Sequence, residues 1–546
     1  MNTPQSAQKN STQLQSATQE QGEMDTSQML SDTLSLLKQA ADNLRGNLDE
    51  EQVQLYQLAM AESEIQGAAA FLELAQDSGT LVQELAACYA ADKCVGTLER
   101  FRRSPAAFGV SRDDLFPDWA CSRWTDPATA TQLGEQLIAQ GLPEVPLDNA
   151  HSIVRSTFAD FGRQVVEPLA ESIHRENLLV PESLLTQLSE MGCFGLSIPE
   201  SYGGLNPDEA EDTVGMVVVT EELSKASLGA AGSLITRPEI MARAVLDGGS
   251  QAQRARWLPK IASGEKLCAI SVTEPNTGSD VANVALKASR TEGGWLINGG
   301  KTWCTFAGRA DYILLLARTD SEASPPHKGL SLFVVEKPVE RGESFVYEQP
   351  QGGRVEGRAI ATLGYRGMHS FEMFYDNFFV PDENLIGEDA GQGKGFYFTM
   401  RGFMGGRIQT AARACGLMRA AFEKSLEYTT QRMVFGQSVA DYPLTQEKVC
   451  RMASAILANQ AHTLKVAHMI DAGEGTMEAS MVKLAACRAA EWVTREAVQL
   501  FGGMGYAEET PVSRYFADAR VLSIFEGAEE TLAIRVVGKA LVTRSN

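Results

Sequence analysis

The stretch QLFGGMGYAEETPVSRYFADARVLSIFEGAEETLAIRVVGKAL, from Gln499 to Leu541, decides how the rest of the chain is read. Its turn Gly502-Gly503-Met504-Gly505 lets backbone come close to a flat or phosphorylated group. Further on, Glu526 stands between Phe525 and Gly527. A carboxylate between an aromatic ring and a glycine is poorly hydrated, which suits it to taking a proton from carbon. Taken alone, a Glu-Gly pair is more often a helix end or a turn.

Outward from this stretch, composition sets bounds. A chain of 546 residues with 44% hydrophobic content buries a large core divided among several domains. The formal charge of -22 and the absence of a long Lys/Arg run argue against nucleic acid as a partner, so an anionic ligand must find a local basic pocket. The nine cysteines, at 88, 94, 121, 193, 268, 304, 415, 450 and 487, lack C-x-x-C spacing and read as buried free thiols, with no metal site. MNTPQSAQKNSTQLQSATQEQ has no apolar centre, and no apolar run reaches spanning length; the expectation is a cytoplasmic protein without membrane insertion.

Taken in order, residues 1–28 are too polar to offset the entropy of ordering and read as a disordered tail. Residues 29–149 read as a helical extension and linker. Leu34, Leu37, Ala41 and Leu44 share a face, Asp49 and Gln52 resemble a capping box ahead of Val53, Tyr56, Met60 and Ala61, and a third helix is predicted over Thr80 to Arg102. Asp126 to Asn149 reads as a linker around one short helix. A helical domain follows over 150–267. Over 268–386 the period changes to two, with strands predicted at LCAISV, GWLING, YILLLA, GLSLFVVE and EMFYDNFFV. Over 387–546 long amphipathic helices return, at Gly406 to Arg432, Thr445 to Asp471 and Glu478 to Phe501. The fold class is mainly α with a central β domain.

Four motifs stand in one order. Val272-Thr273-Glu274-Pro275-Asn276-Thr277-Gly278-Ser279-Asp280 is a hydroxyl-rich loop leaving a strand. Gly300-Lys301-Thr302-Trp303-Cys304-Thr305 puts Trp303 and Thr305 two apart, on one face of an ideal strand. QRMVFG carries Arg432 and Phe435, and the last stretch carries Gln499, Gly502, Gly503 and Glu526. Each alone has a bland reading: a turn, a core Trp, a solvated arginine.

Together, over residues 150–546, they resemble the acyl-CoA dehydrogenase family, whose signatures include TEP-x-x-GSD, GxKxWIT, R-x-x-FG and a terminal I-Y/F-EG. The resemblance implies a helical, β-barrel, helical architecture and FAD as cofactor. It implies flavin contacts at Val272, Thr273, Ser279, Trp303, Thr305, Arg432, Phe435, Gln499, Gly502 and Gly503, with Arg432 reaching the cofactor of a neighbouring subunit. Glu526 is then the catalytic base, because Gly406 occupies the position where some branches place it. The acyl-CoA substrate would meet Ser279, Arg407 and Gly527, and Arg237 in LITRPEI would meet an acyl carboxylate. An electron-transfer flavoprotein partner and a homotetramer or homodimer are implied too. Two departures are Ala528, where the family usually has Thr, and Glu530, where Gln is common. LGYRGM (Leu363 to Met368), RIQTAARA (Arg407 to Ala414) and the long extension point to a branch acting on a short, branched, carboxylated acyl group. A general short- or branched-chain dehydrogenase, an acyl-CoA oxidase and a non-catalytic CoA-binding scaffold stay open at this point.

Overall fold

The structure is a computed structural model describing residues 26–44 and 49–544. The disordered tail expected over 1–28 lies outside the described residues up to 25, and residues 26–28 already belong to helix α1, over 26–43. Helices α2 (Gln52–Ala75), α3 (Thr80–Arg102) and α4 (Pro127–Gln140) complete the extension. The capping box at the start of α2 does not form: Glu51 is the N-cap without a side-chain bond, and Asp49 instead pairs with Arg535 at the far end of the chain. Val53, expected on the inner face, is 72% exposed. The segment read as a linker around one short helix holds that helix, α4, which packs against the rest of the chain. Asp126 accepts the Ala128 N–H to cap α4, Pro127 opens the helix, and Gly134 packs so tightly that a Cβ would come within 1.9 Å of the Gln446 carbonyl oxygen.

Helix α5 (Asn149–Phe161) starts at Asp148, whose side chain accepts the His151 N–H. Helices α6 (Thr213–Ala226) and α7 (Thr236–Gly248) are buried on nearly every side. An eight-stranded mixed sheet follows, formed by β1 (Cys268–Ser271), β2 (Lys287–Thr291), β3 (Gly294–Thr305), β4 (Tyr312–Arg318), β5 (Leu330–Glu336), β6 (Ser344–Glu348), β7 (Arg354–Ile360) and β8 (Ser370–Pro381). Its order is β1-β4-β2-β3-β8-β7-β6 with β5 on β4; β4 runs parallel to β1 and β2, and the remaining pairs are antiparallel. The apolar strands were legible. β2, β6 and β7 escaped because KASRT, SFVYE and RVEGRAI carry charges on their outer faces.

The C-terminal part is a helical layer of α8 (Gly395–Gln431), α9 (Pro443–Asp471), α10 (Glu478–Phe501) and α11 (Pro511–Leu522). The sequence reading started α8 eleven residues late, since GFYFTMRGFMG has too many glycines to show a helical face. No helix among the described residues is long and apolar enough to cross a membrane. All nine cysteines are free, eight of them buried and Cys121 exposed.

Candidate active site

Glu526 sits in the loop between α11 and the last helical segment, half-buried. The loop is closed by the Glu529 N–H, which donates to Ser523 O at 3.0 Å, and by the Phe525 N–H, which donates to Val521 O at 3.1 Å. Glu526 itself has φ 55° and Gly527 φ 99°. A left-handed glutamate is a sparsely populated conformation held by its surroundings. What holds it is Lys483 on α10, 1% exposed, whose ammonium donates to Phe525 O at 2.7 Å and also to Gly527 O, one carbonyl on each side of the glutamate. Burial pushes the Lys483 ammonium below the usual lysine range. The Glu526 N–H has no hydrogen-bond partner among the described residues. On the facing helix, Gly406 leaves the space the carboxylate uses: a Cβ there would lie 2.7 Å from Glu526 Oε2.

Three guanidinium groups surround this loop. Arg407, next to Gly406 on α8, donates to Ser480 Oγ at 3.3 Å, while its buried Nε has no partner. Arg413, fully buried on the same helix, donates to Thr410 Oγ1 at 2.6 Å and to Ser233 Oγ at 3.3 Å, and lies 4.7 Å over the Phe525 ring. Arg237 at the start of α7, 5% exposed, donates to Ser233 O at 2.9 Å and to Tyr365 Oη at 3.0 Å. Tyr365 meets Phe525 edge-on at 5.4 Å, and its N–H donates to Asp518 Oδ1 at 2.6 Å. Among the described residues no carboxylate comes within 4.0 Å of these three guanidiniums. Burial pushes Arg407 and Arg413 below their usual range, opposed in each by the attraction of Glu526. Buried arginines are normally paired, so an unpaired group of them favours an anion.

The β domain supplies a second wall. The loop after β1 is more than a turn: Glu274 accepts the N–H groups of Ala285 at 2.7 Å and Leu286 at 2.8 Å and forms a buried ion pair with Lys301 at 2.9 Å. Lys301 also donates to Val272 O at 2.8 Å, and the Thr302 N–H donates to Thr273 O at 2.9 Å, so Val272 and Thr273 are held against β3. Sequence reasoning passed over Lys301, since a lysine in a strand reads as solvated. The even alternation that would put Trp303 and Thr305 on one face of an ideal strand is broken here. A register shift between Lys301 and Cys304, with Trp303 at φ 58°, breaks the alternation; Trp303 is 56% exposed, while buried Thr305 hydrogen-bonds Ser370 Oγ at 2.9 Å. Ser279 lies exposed in the same loop.

The remaining candidates form a separate group. Arg432 and Phe435 follow the end of α8, Gln499 stands at the end of α10, and a 4.1 Å stack of Tyr428 on Phe501 joins the two ends. Phe435 is 97% exposed, and a Cβ at Gly502 or Gly503 would touch nothing within 4 Å. Along α10, sixteen residues separate Lys483 from Gln499, roughly 24 Å at the helical rise. One chain therefore brings Glu526, Gly527, Arg407 and Arg237 together but does not bring Arg432, Phe435, Gln499, Gly502 and Gly503 to them. The donor types in the β wall and the distal group suit a flavin nucleotide: an outward Trp303 ring, threonine hydroxyls, an open glycine turn, and in Arg432 an exposed guanidinium with no carboxylate within 4.0 Å among the described residues.

Comparison with known proteins agrees. Residues 148–265, 269–378 and 393–542 match the acyl-CoA dehydrogenase N-terminal, middle and C-terminal domains. The chain is 41% identical over 398 residues to (2S)-methylsuccinyl-CoA dehydrogenase of Cereibacter sphaeroides, covering 72% of this chain and 70% of that one. It is 32% identical to the mitochondrial 2-methylacyl-CoA dehydrogenase of Solanum tuberosum, covering 72% and 91%. Among solved structures, butyryl-CoA dehydrogenase from Megasphaera elsdenii superposes with a TM-score of 0.66 at 29% identity, covering 73% of this chain and all of that one. With these matches in the order of its three domains, the chain belongs to the acyl-CoA dehydrogenase family of FAD-dependent oxidoreductases.

Proposed function

We propose that the protein oxidises (2S)-methylsuccinyl-CoA to mesaconyl-CoA. The observation that carries this reading is the group of buried guanidiniums without a carboxylate partner, Arg237 and Arg413 behind Phe525 and Arg407 beside Gly406. A neutral acyl chain would leave that charge uncompensated, whereas a second carboxylate at the far end of the acyl group answers it. The similarity to the Cereibacter sphaeroides enzyme supports the same substrate.

In this reading Glu526 takes the proton from the α-carbon of the thioester. The left-handed turn at Glu526 and Gly527, clasped by Lys483, fixes the direction of the carboxylate, and Gly406 leaves it room. The unpartnered Glu526 N–H donates to the thioester oxygen as charge develops there. FAD held at this site would supply the two-electron acceptor for the β-hydrogen. Val272, Thr273, Ser279, Trp303 and Thr305 would hold the flavin from the β wall. Arg432 and Phe435 past the end of α8, with Gln499, Gly502 and Gly503 at the end of α10, lie too far off to serve the same site and would hold the cofactor of a second copy, so the working form is a homodimer or homotetramer. Electrons leave to an electron-transfer flavoprotein, and the free cysteines fit a cytoplasmic setting.

The test is an anaerobic absorbance titration of the holoenzyme with methylsuccinyl-, butyryl-, isovaleryl- and glutaryl-CoA. Methylsuccinyl-CoA should bleach the flavin fastest, and a neutral acyl-CoA bleaching it faster overturns the substrate assignment. Glu526→Gln should keep its yellow FAD and fail to bleach with all four.

A further inference from the structure

The extension lies outside the three family domains, yet α2 reaches the loop that carries Glu526. Tyr56 Oη donates to Glu529 Oε1 at 2.5 Å and accepts from Arg488 Nη2 at 2.6 Å, while Arg488 Nε pairs with Glu529 Oε2 at 2.8 Å. Burial and the Glu529 carboxylate raise the Tyr56 phenol above its ordinary range, so it stays protonated and donating. Glu529 is buried, and its N–H is the one that closes the loop at Ser523 O. The loop's other fastening, Lys483, sits on the helix that also bears Arg488. Behind both, Ala59 and Met60 of α2 pack with Met481, Leu484, Leu532 and Ala533. A helix that only covered apolar surface would need the second set of contacts and not the first. Three polar groups from three separate segments converge on the far anchor of a strained loop, and one of them comes from outside the family core.

We propose that Tyr56 is a positioning residue for proton abstraction: through Glu529 and Arg488, the N-terminal extension sets the orientation of loop 523–529 and hence of the Glu526 carboxylate. This rests on the reading of Glu526 as the base. Removing one oxygen, in Tyr56→Phe, leaves the ring in place and the Arg488–Glu529 pair intact, but cuts that pair's hydrogen bonds to the extension.

The test uses full-length holoenzyme with methylsuccinyl-CoA, unlabelled and deuterated at the α-carbon. Tyr56→Phe should lower kcat about tenfold with KM, FAD content and melting temperature close to wild type, and should enlarge the deuterium isotope effect, as a misaimed base makes proton removal slower. Amide exchange across residues 523–532 should quicken in the same variant. Glu529→Gln should do likewise, and the double variant should fall no further than Glu529→Gln alone. Unchanged kcat and isotope effect in Tyr56→Phe overturn the proposal. So does a loss of kcat that only tracks a lower melting temperature or lost FAD. Glu526→Gln separates the two readings. If that variant bleaches its flavin, the base assignment fails and this proposal with it; if it is dead while Tyr56→Phe matches wild type, only the role of the extension fails.

Discussion

At Gly406, one missing carbon decides where a carboxylate rests. A methyl group there would lie 2.7 Å from Glu526 Oε2, a clash that the end of a flexible side chain relieves by moving. Gly406→Ala should therefore fold as well as wild type or better, because alanine is the stronger helix former by about 1 kcal/mol, while kcat falls at least tenfold. Melting curves and steady-state rates on one preparation check both halves. Arg237→Ala should lose activity on methylsuccinyl-CoA and keep most of it on butyryl-CoA; equal loss on both would make Arg237 structural, a support for Tyr365. Glu526 stood out as a candidate in the sequence because Phe525, Gly527 and the preceding glycine turn together resemble a family signature, not because a Glu-Gly pair is distinctive by itself. Lys483 and Arg413 did not, since a helical lysine or arginine reads as solvated, and only the tertiary fold shows that each is enclosed.

At the level of elements, the loop after β1 and strand β3 act as one unit joined by Lys301 and Glu274. Removing one partner of a buried pair leaves the other charge uncompensated. Lys301→Ala should cost about 3–5 kcal/mol in denaturant unfolding, far more than an exposed pair would. Its loss should also loosen Val272 and Thr273, so FAD should dissociate more readily from that variant, which a filtrate absorbance measurement checks. Three helices of the C-terminal layer, α8, α9 and α10, were legible from their period, and the apolar strands from their runs; α11 was not named. The bulge before Cys304 was not legible, because Thr-Trp-Cys-Thr offers no glycine to mark it, and the left-handed Trp303 is set by β8 pairing on both sides of the shift. Polar edge strands such as β6 are invisible to a search for apolar alternation.

Across the whole molecule, the extension is sewn to the C-terminal layer by contacts no sequence pattern could reveal: Tyr56 and Glu529 are 473 positions apart. Under that seam His462 of α9 lies fully enclosed, 3.5 Å from where a Cβ on Gly67 would stand, and its Nδ1 has no partner. Burial pushes this imidazole down to about 3, and His174 near α11 down to about 4. Both are neutral in the fold and take a proton only on unfolding, so the unfolded chain binds more protons below the ordinary histidine value near 6.5. Stability is then full above that value and falls as pH drops through 6.5 toward the folded values, by up to about 1.4 kcal/mol per pH unit for each ring. His462→Leu should flatten the acid side of the melting-temperature profile between pH 6 and 4; a profile parallel to wild type would mean that His462 is already protonated in the fold.

Eight thiols are enclosed, each pushed above its ordinary range by burial, and one, Cys121, faces water between α3 and α4. The native protein thus offers a single handle for a maleimide dye, without any engineered change. A fluorophore attached there reports on the extension alone, and its anisotropy should rise or fall with how firmly that part of the molecule grips the remainder.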